Sequence, residues 1–175
     1  MQLRLKYIAK SSVLHHIGKN MNKIISAFPG IGKTTLVKTN KNYVDLESSD
    51  YKWLDIDKAL SVEERKGTAK TINPDFPANY IKKINELTSM GFNVLISSHK
   101  EVREALQTQG IEYTIVLPSL DMKEEMINRY LSRGNQESFV NLLKTNYEKF
   151  VEDLSIDPNE KIVLKHGEYL SDIVK

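Results

Sequence analysis

The stretch Lys23-Ile24-Ile25-Ser26-Ala27-Phe28-Pro29-Gly30-Ile31-Gly32-Lys33-Thr34-Thr35 decides the fold. A short apolar strand runs into A-x-x-x-x-G-K-T, a phosphate-binding loop pattern with Ala27 where glycine is commoner. Gly30 and Gly32 permit backbone angles that a Cβ disfavours, so successive N–H groups can curl around phosphate oxygens. Thr34 and Thr35 then open a helix whose unpaired N–H groups and dipole favour the same anion. Lys33 reaches the β- and γ-phosphates in such a loop, and the Thr34 hydroxyl is placed to ligate Mg²⁺. The run Phe28, Pro29, Gly30, Ile31, Gly32, Lys33, Thr34 and Thr35 is therefore the candidate nucleotide-binding element, with ATP and Mg²⁺ as the expected ligands.

Outward from the loop, strand and helix patterns alternate. Thr34–Lys38 reads as a short helix and Tyr43–Glu47 as a second strand, closing in Ser48-Ser49-Asp50. Helical stretches are expected around Asp57–Lys66, broken by Gly67. Tyr80, Ile81, Ile84 and Leu87 repeat at helical spacing over 78–90, and Gly91 caps that helix. Phe92–Ser97 is apolar on both faces, as a buried parallel strand should be. A helix over 100–109, with Val102, Ala105 and Leu106 inward, is stopped by Gly110, and Tyr113–Pro118 is the fourth strand. Helices follow over 122–132 and 137–154, the second with a stripe of Phe139, Leu143, Tyr147, Phe150 and Leu154. Lys161–Leu164 is the fifth strand, and Glu168–Val174 a closing helix. The pattern predicts an α/β fold in three layers, a five-stranded parallel sheet covered on both faces. Ligands then collect at the carboxyl ends of the strands, where the loop, Asp45-Leu46-Glu47, Ser97-Ser98-His99 and Pro118 fall.

The 175 residues suit one domain, here 21–175, with residues 1–20 read as an N-terminal extension and Met21 as a candidate natural start. Without cysteine the chain has no disulfide, thiolate zinc site or cysteine nucleophile. His15, His16, His99 and His166 show no ligand spacing, and no apolar run approaches the roughly 20 residues of a membrane span. A cytoplasmic protein without a membrane partner is the expectation. Net charge is +2, yet every acid lies at or beyond Asp45, while Arg4, Lys6, Lys10, Lys19, Lys23, Lys33, Lys38 and Lys41 precede it. That asymmetry gives the nucleotide site a positive field and makes nucleic acid a second partner class.

Phosphoryl transfer is mostly positioning plus charge neutralisation, and three sets of residues meet those needs. Lys33 and Thr34 belong to the loop. Asp45, Glu47 and Asp50 end the second strand, where a carboxylate can hold Mg²⁺ or take a proton from an acceptor hydroxyl. Arg129 and Arg133 lie one helical turn apart before Gly134, suited to close over phosphates from a hinged helix. Their bland alternative is salt bridging to Glu125 or Glu137. His99 is a further candidate, to hydrogen-bond the acceptor or the loop, or else a satisfied strand-end histidine.

These pieces, Ala27–Thr35, Val44-Asp45-Leu46-Glu47 and Asn128-Arg129-Tyr130-Leu131-Ser132-Arg133, resemble the nucleoside-monophosphate-kinase-like branch of P-loop proteins, which includes adenylate, shikimate and gluconate kinases. The chain is more closely similar to small, uncharacterised or phage-encoded P-loop kinases, with segments like 73–80, 97–103 and 166–172 recurring there. The resemblance implies strand order 2-3-1-4-5, ATP on the loop, an acceptor between strands two and three, and a helical lid at about 121–155 bearing Arg129 and Arg133. Two departures stand out: strand three ends in Ser97-Ser98-His99 with no Walker-B aspartate, and of the acceptor arginines only Arg65 and Arg103 are candidates. The expected function is a P-loop kinase moving the γ-phosphoryl group of ATP to a nucleotide-like or other small acceptor. The alternatives are a phage-type kinase acting on DNA, at a hydroxymethyl base or strand end, and an ATP-binding regulatory module or slow NTPase.

Overall fold

Four residues, Ile24–Ala27, form β1, and all four are buried because the strand lies at the centre of the sheet. The computed structural model describes residues 23–54, Glu64 and 70–174. The expected N-terminal extension, Arg65 and all of the Asp57–Lys66 stretch but Glu64 lie outside these residues. After β1 come α1 (Lys33–Thr39), β2 (Tyr43–Asp45), α2 (Ser49–Lys52), α3 (Ala78–Ser89), β3 (Asn93–Ser97) and α4 (Lys100–Thr108). Then follow β4 (Thr114–Pro118), α5 (Lys123–Ser132), α6 (Glu137–Ser155), β5 (Glu160–Leu164) and α7 (Leu170–Ile173).

The five strands are all parallel in the order β2-β3-β1-β4-β5. Register sets Ile25 of β1 between Leu95 of β3 and Thr114 of β4. The switch from β2 on one side to β4 on the other puts a crevice beside the carboxyl end of β1. Helices cover both faces, as parallel crossovers require. On α3 the expected stripe of Tyr80, Ile81, Ile84 and Leu87 is buried, each apolar side chain contributing roughly 1.5–3 kcal/mol.

Tertiary packing moved several details. β2 ends at Asp45, although Leu46 N still donates to Leu95 O at 2.9 Å, because Ser48-Ser49-Asp50 turns at once into α2. On α6 the fully buried stripe is Val140, Leu143, Tyr147, Val151 and Leu154, with Phe139 and Phe150 only partly covered. α7 is shorter than expected, since Tyr169 is still extended at φ −125° and its N–H is capped by Asp172 at 2.7 Å.

The inward face of α4 is Val102, Arg103 and Leu106, so a charged residue sits where only apolar ones were expected. Its partner is Asp157 at the α6–β5 turn, and the two carboxylate oxygens there collect five donors from the chain around them.

Candidate functional site

Continuing from β1, Phe28 N donates to Val116 O at 2.9 Å, which carries the sheet pairing into the loop. The Phe28 ring turns into the core and meets Tyr147 edge-on at 5.9 Å. Ile31 is likewise fully buried. These two side chains therefore anchor the loop from beneath and leave only their backbone to face a ligand. Gly30 at φ +80° and Gly32 at φ +101° make the turn. A Cβ on Gly30 would lie 2.4 Å from Tyr130 Cε1, so glycine is required there by space as well as by angle. Gly32 caps α1, whose first-turn N–H groups have no intrahelical acceptor.

Two neighbours brace this turn. The Tyr130 hydroxyl of α5 donates to Pro29 O at 2.8 Å, and Leu170 N donates to Ile31 O at 2.8 Å. The Tyr169 ring covers Gly32. Lys33, half-buried, and Thr34 and Thr35, both exposed, open α1.

Asp45 stands across from the helix start. The Thr34 hydroxyl donates to its Oδ2 at 3.4 Å, while its Oδ1 is buried with no protein partner. Burial pushes the Asp45 carboxyl above its ordinary range; Glu47 adds to this, and Lys33, Thr34 and Arg133 pull the other way. Among the described residues no cluster of three or more His, Cys, Asp or Glu side chains could hold a metal by itself. Thr34 Oγ1 and the unpartnered Asp45 Oδ1 are hard oxygens, the donor type that Mg²⁺ takes beside a shell of water.

Beyond Asp45, Glu47 accepts from Ser49 N at 3.3 Å, and Asp50 lies in the first turn of α2. Ser97 Oγ donates to Ser48 Oγ at 3.0 Å, and His99 Nδ1 faces both hydroxyls, at 3.3 Å from Ser97 and 3.4 Å from Ser48. His99 as a whole residue is exposed, although its ring is turned toward these hydroxyls. Crowding by protein, then the Lys52 ammonium, holds the His99 pKa below its usual value, favouring the neutral ring at pH 7. His99 thus joins the ends of β2 and β3 through Ser48, a residue with no signal of its own in the sequence.

The two arginines part company. Arg129 is 8% exposed, ion-paired to Glu125, bonded to Glu168 O at 2.9 Å and stacked 3.8 Å above the Tyr169 ring. Its Nε and Nη1 are buried without a protein partner. Arg133 is exposed at the end of α5, and its charge is felt at Asp45. Both arginines line a groove of about 570 Å³ with Asn128, Ser132, His166 and Tyr169. The salt bridge to Glu125 anticipated as the bland alternative is present, and in this conformation it holds Arg129 down.

Arg103 does not join them. Its Nη1 pairs with Asp157 and its Nε donates to Ser98 O at 3.1 Å, because a buried guanidinium needs a buried carboxylate. The residues that sequence reasoning missed are Tyr130, Tyr169 and Ser48. Tyr130 stands in the sequence only as part of the segment 128–133, since the contact that makes it matter spans 101 residues. Compared with models of known protein families and with curated protein sequences, the chain matches none.

Proposed function

We propose that this protein is an ATP- and Mg²⁺-dependent phosphotransferase of the P-loop kinase type, acting on a small or nucleotide-like acceptor. The observation that carries the reading is the glycine turn at the carboxyl end of the central strand, with Thr34 and Asp45 facing each other beside it. A loop at that switch point, feeding a helix N-terminus, is chemically suited to a triphosphate.

In this reading the loop amides and Lys33 cradle the β- and γ-phosphates. Mg²⁺ held by Thr34 and Asp45 would neutralise charge on the phosphate oxygens. Arg133 adds positive charge from the open side, and Arg129 contributes its unpartnered Nε and Nη1 once Glu125 yields. The acceptor hydroxyl enters from the Ser48–His99 side. As its oxygen bonds to the γ-phosphorus, the bond from phosphorus to the β–γ bridging oxygen breaks, and the hydroxyl proton passes to a carboxylate. Asp45 can accept that proton through Oδ2, the oxygen not given to the metal.

In the metal-free protein the raised Asp45 pKa makes a prediction of its own. A carboxyl held above its unfolded value takes up its proton sooner in the folded state, so its contribution to stability falls as pH rises through that window. At neutral pH ionised Asp45 is a cost. Asp45→Asn should raise the thermal midpoint at pH 7 while lowering phosphoryl transfer by about 100-fold or more. A variant that is less stable and fully active would contradict both halves.

The deciding test measures binding of a non-hydrolysable ATP analogue with Mg²⁺ by calorimetry. Radiolabelled ATP is then screened against nucleosides, nucleotides, small metabolites and DNA with hydroxymethyl bases. Binding plus label transfer to a small acceptor is the expected result. Transfer to DNA alone would move the assignment to a polymer kinase, and absence of analogue binding would end it.

A further inference from the structure

Tyr130 is 1% exposed and can touch neither a phosphate nor an acceptor, yet it is the residue through which α5 meets the glycine turn. Its hydroxyl holds Pro29 O, and its ring rests on Gly30 so closely that no side chain could stand between them. From the other side Phe139 grips the ring edge-on at 5.7 Å. Arg129 precedes it in the chain, and Arg133 follows within one helical turn. A shift of Pro29 and Gly30 must therefore move either the helix that carries both guanidinium groups or the tyrosine that joins them. The second strut reinforces this: Tyr169 covers Gly32 and stacks on Arg129, and the next residue, Leu170, holds Ile31 O. Loop, α5 and the β5–α7 turn form one closed frame.

Resting on the phosphotransferase reading, we propose that Tyr130 is a positioning residue that couples the shape of the phosphate loop to the placement of Arg129 and Arg133. Filling the loop with a triphosphate and ordering the arginine helix are then one event. Coupling of this kind is reciprocal, so weakening the tie loosens both the ligand and the helix.

The test pairs analogue titration with hydrogen exchange across Lys123–Ser132, using AMP-PNP and Mg²⁺ as the probe. In the wild type the probe should slow exchange along α5. Tyr130→Phe keeps the ring but leaves Pro29 O without its donor, so the probe's Kd should rise roughly tenfold and the added protection of α5 should vanish. Tyr113→Phe deletes a buried tyrosine hydroxyl bond to Asp157, remote from the loop, and should lower stability without touching that protection. A Tyr130→Phe protein with wild-type Kd and wild-type protection would overturn the coupling while leaving the ATP reading intact. So would a wild type that binds the probe with no change in α5, a result that needs no variant to fold. A wild type that fails to bind the probe overturns both.

Discussion

Lys33→Ala is expected to lower kcat/KM for phosphoryl transfer by at least about 10³, roughly 4 kcal/mol of transition-state stabilisation. The loss should fall mainly on kcat, because charge on the transferred group develops most at the transition state. Lys33 sits in the first turn of a helix whose anchor is Leu36, so the variant should fold with its thermal midpoint nearly unchanged. A further readout follows from its neighbour. Lys33 is the largest influence lowering the Asp45 pKa, so its removal should push that carboxyl still higher and move the acid limb of the pH–rate profile upward. Transfer within a few-fold of wild type would remove the loop from the chemistry.

The second large effect is on stability. Asp157→Ala should cost about 3–5 kcal/mol, since it leaves the Arg103 guanidinium buried without its counter-charge. For a chain of this size that is a fall in thermal midpoint of roughly 10 °C. The carboxylate also accepts from Gln107 at 3.0 Å, Tyr113 at 2.9 Å and the Asn159 amide at 3.0 Å, so no single donor accounts for the loss. Burial pushes the Tyr113 hydroxyl up to about 12, which keeps it a donor to Asp157 at any working pH. Burial likewise works to raise the Asp157 pKa, but the bonds from Asn159, Tyr113 and Arg103 outweigh it and hold the carboxyl below its usual range. The stabilisation is therefore complete above the unfolded carboxylate pKa near 4 and fades as pH falls through the depressed folded value. Chemical denaturation at pH 7 and at pH 3 should show the gap between wild type and variant shrinking in acid. An equal gap at both would place the energy in packing instead of charge.

Arg103 shows how far along the chain a side chain's partner can lie. Its candidacy as an acceptor arginine rests on the family resemblance alone. Its actual partner lies 54 residues away at the far end of α6, and nothing local to either residue announces the pair. Arg129 is a different case: its i, i+4 partner Glu125 was visible in the sequence, but the stack on Tyr169 and the bond to Glu168 O depend on where β5 delivers the chain.

The chain's own residues determined the element types, the parallel sheet and the glycine turn, because each rests on local rules. Alternating apolar runs of strand and helix length, with glycine where φ turns positive, leave few other solutions. Thr34 and Asp45 were legible as partners because both belong at the carboxyl ends of neighbouring β–α units. Tertiary structure alone decided which charged side chains are satisfied by one another and which remain free. That depends on burial and on contacts such as Tyr130 to Pro29, whose members are brought together only when the sheet closes.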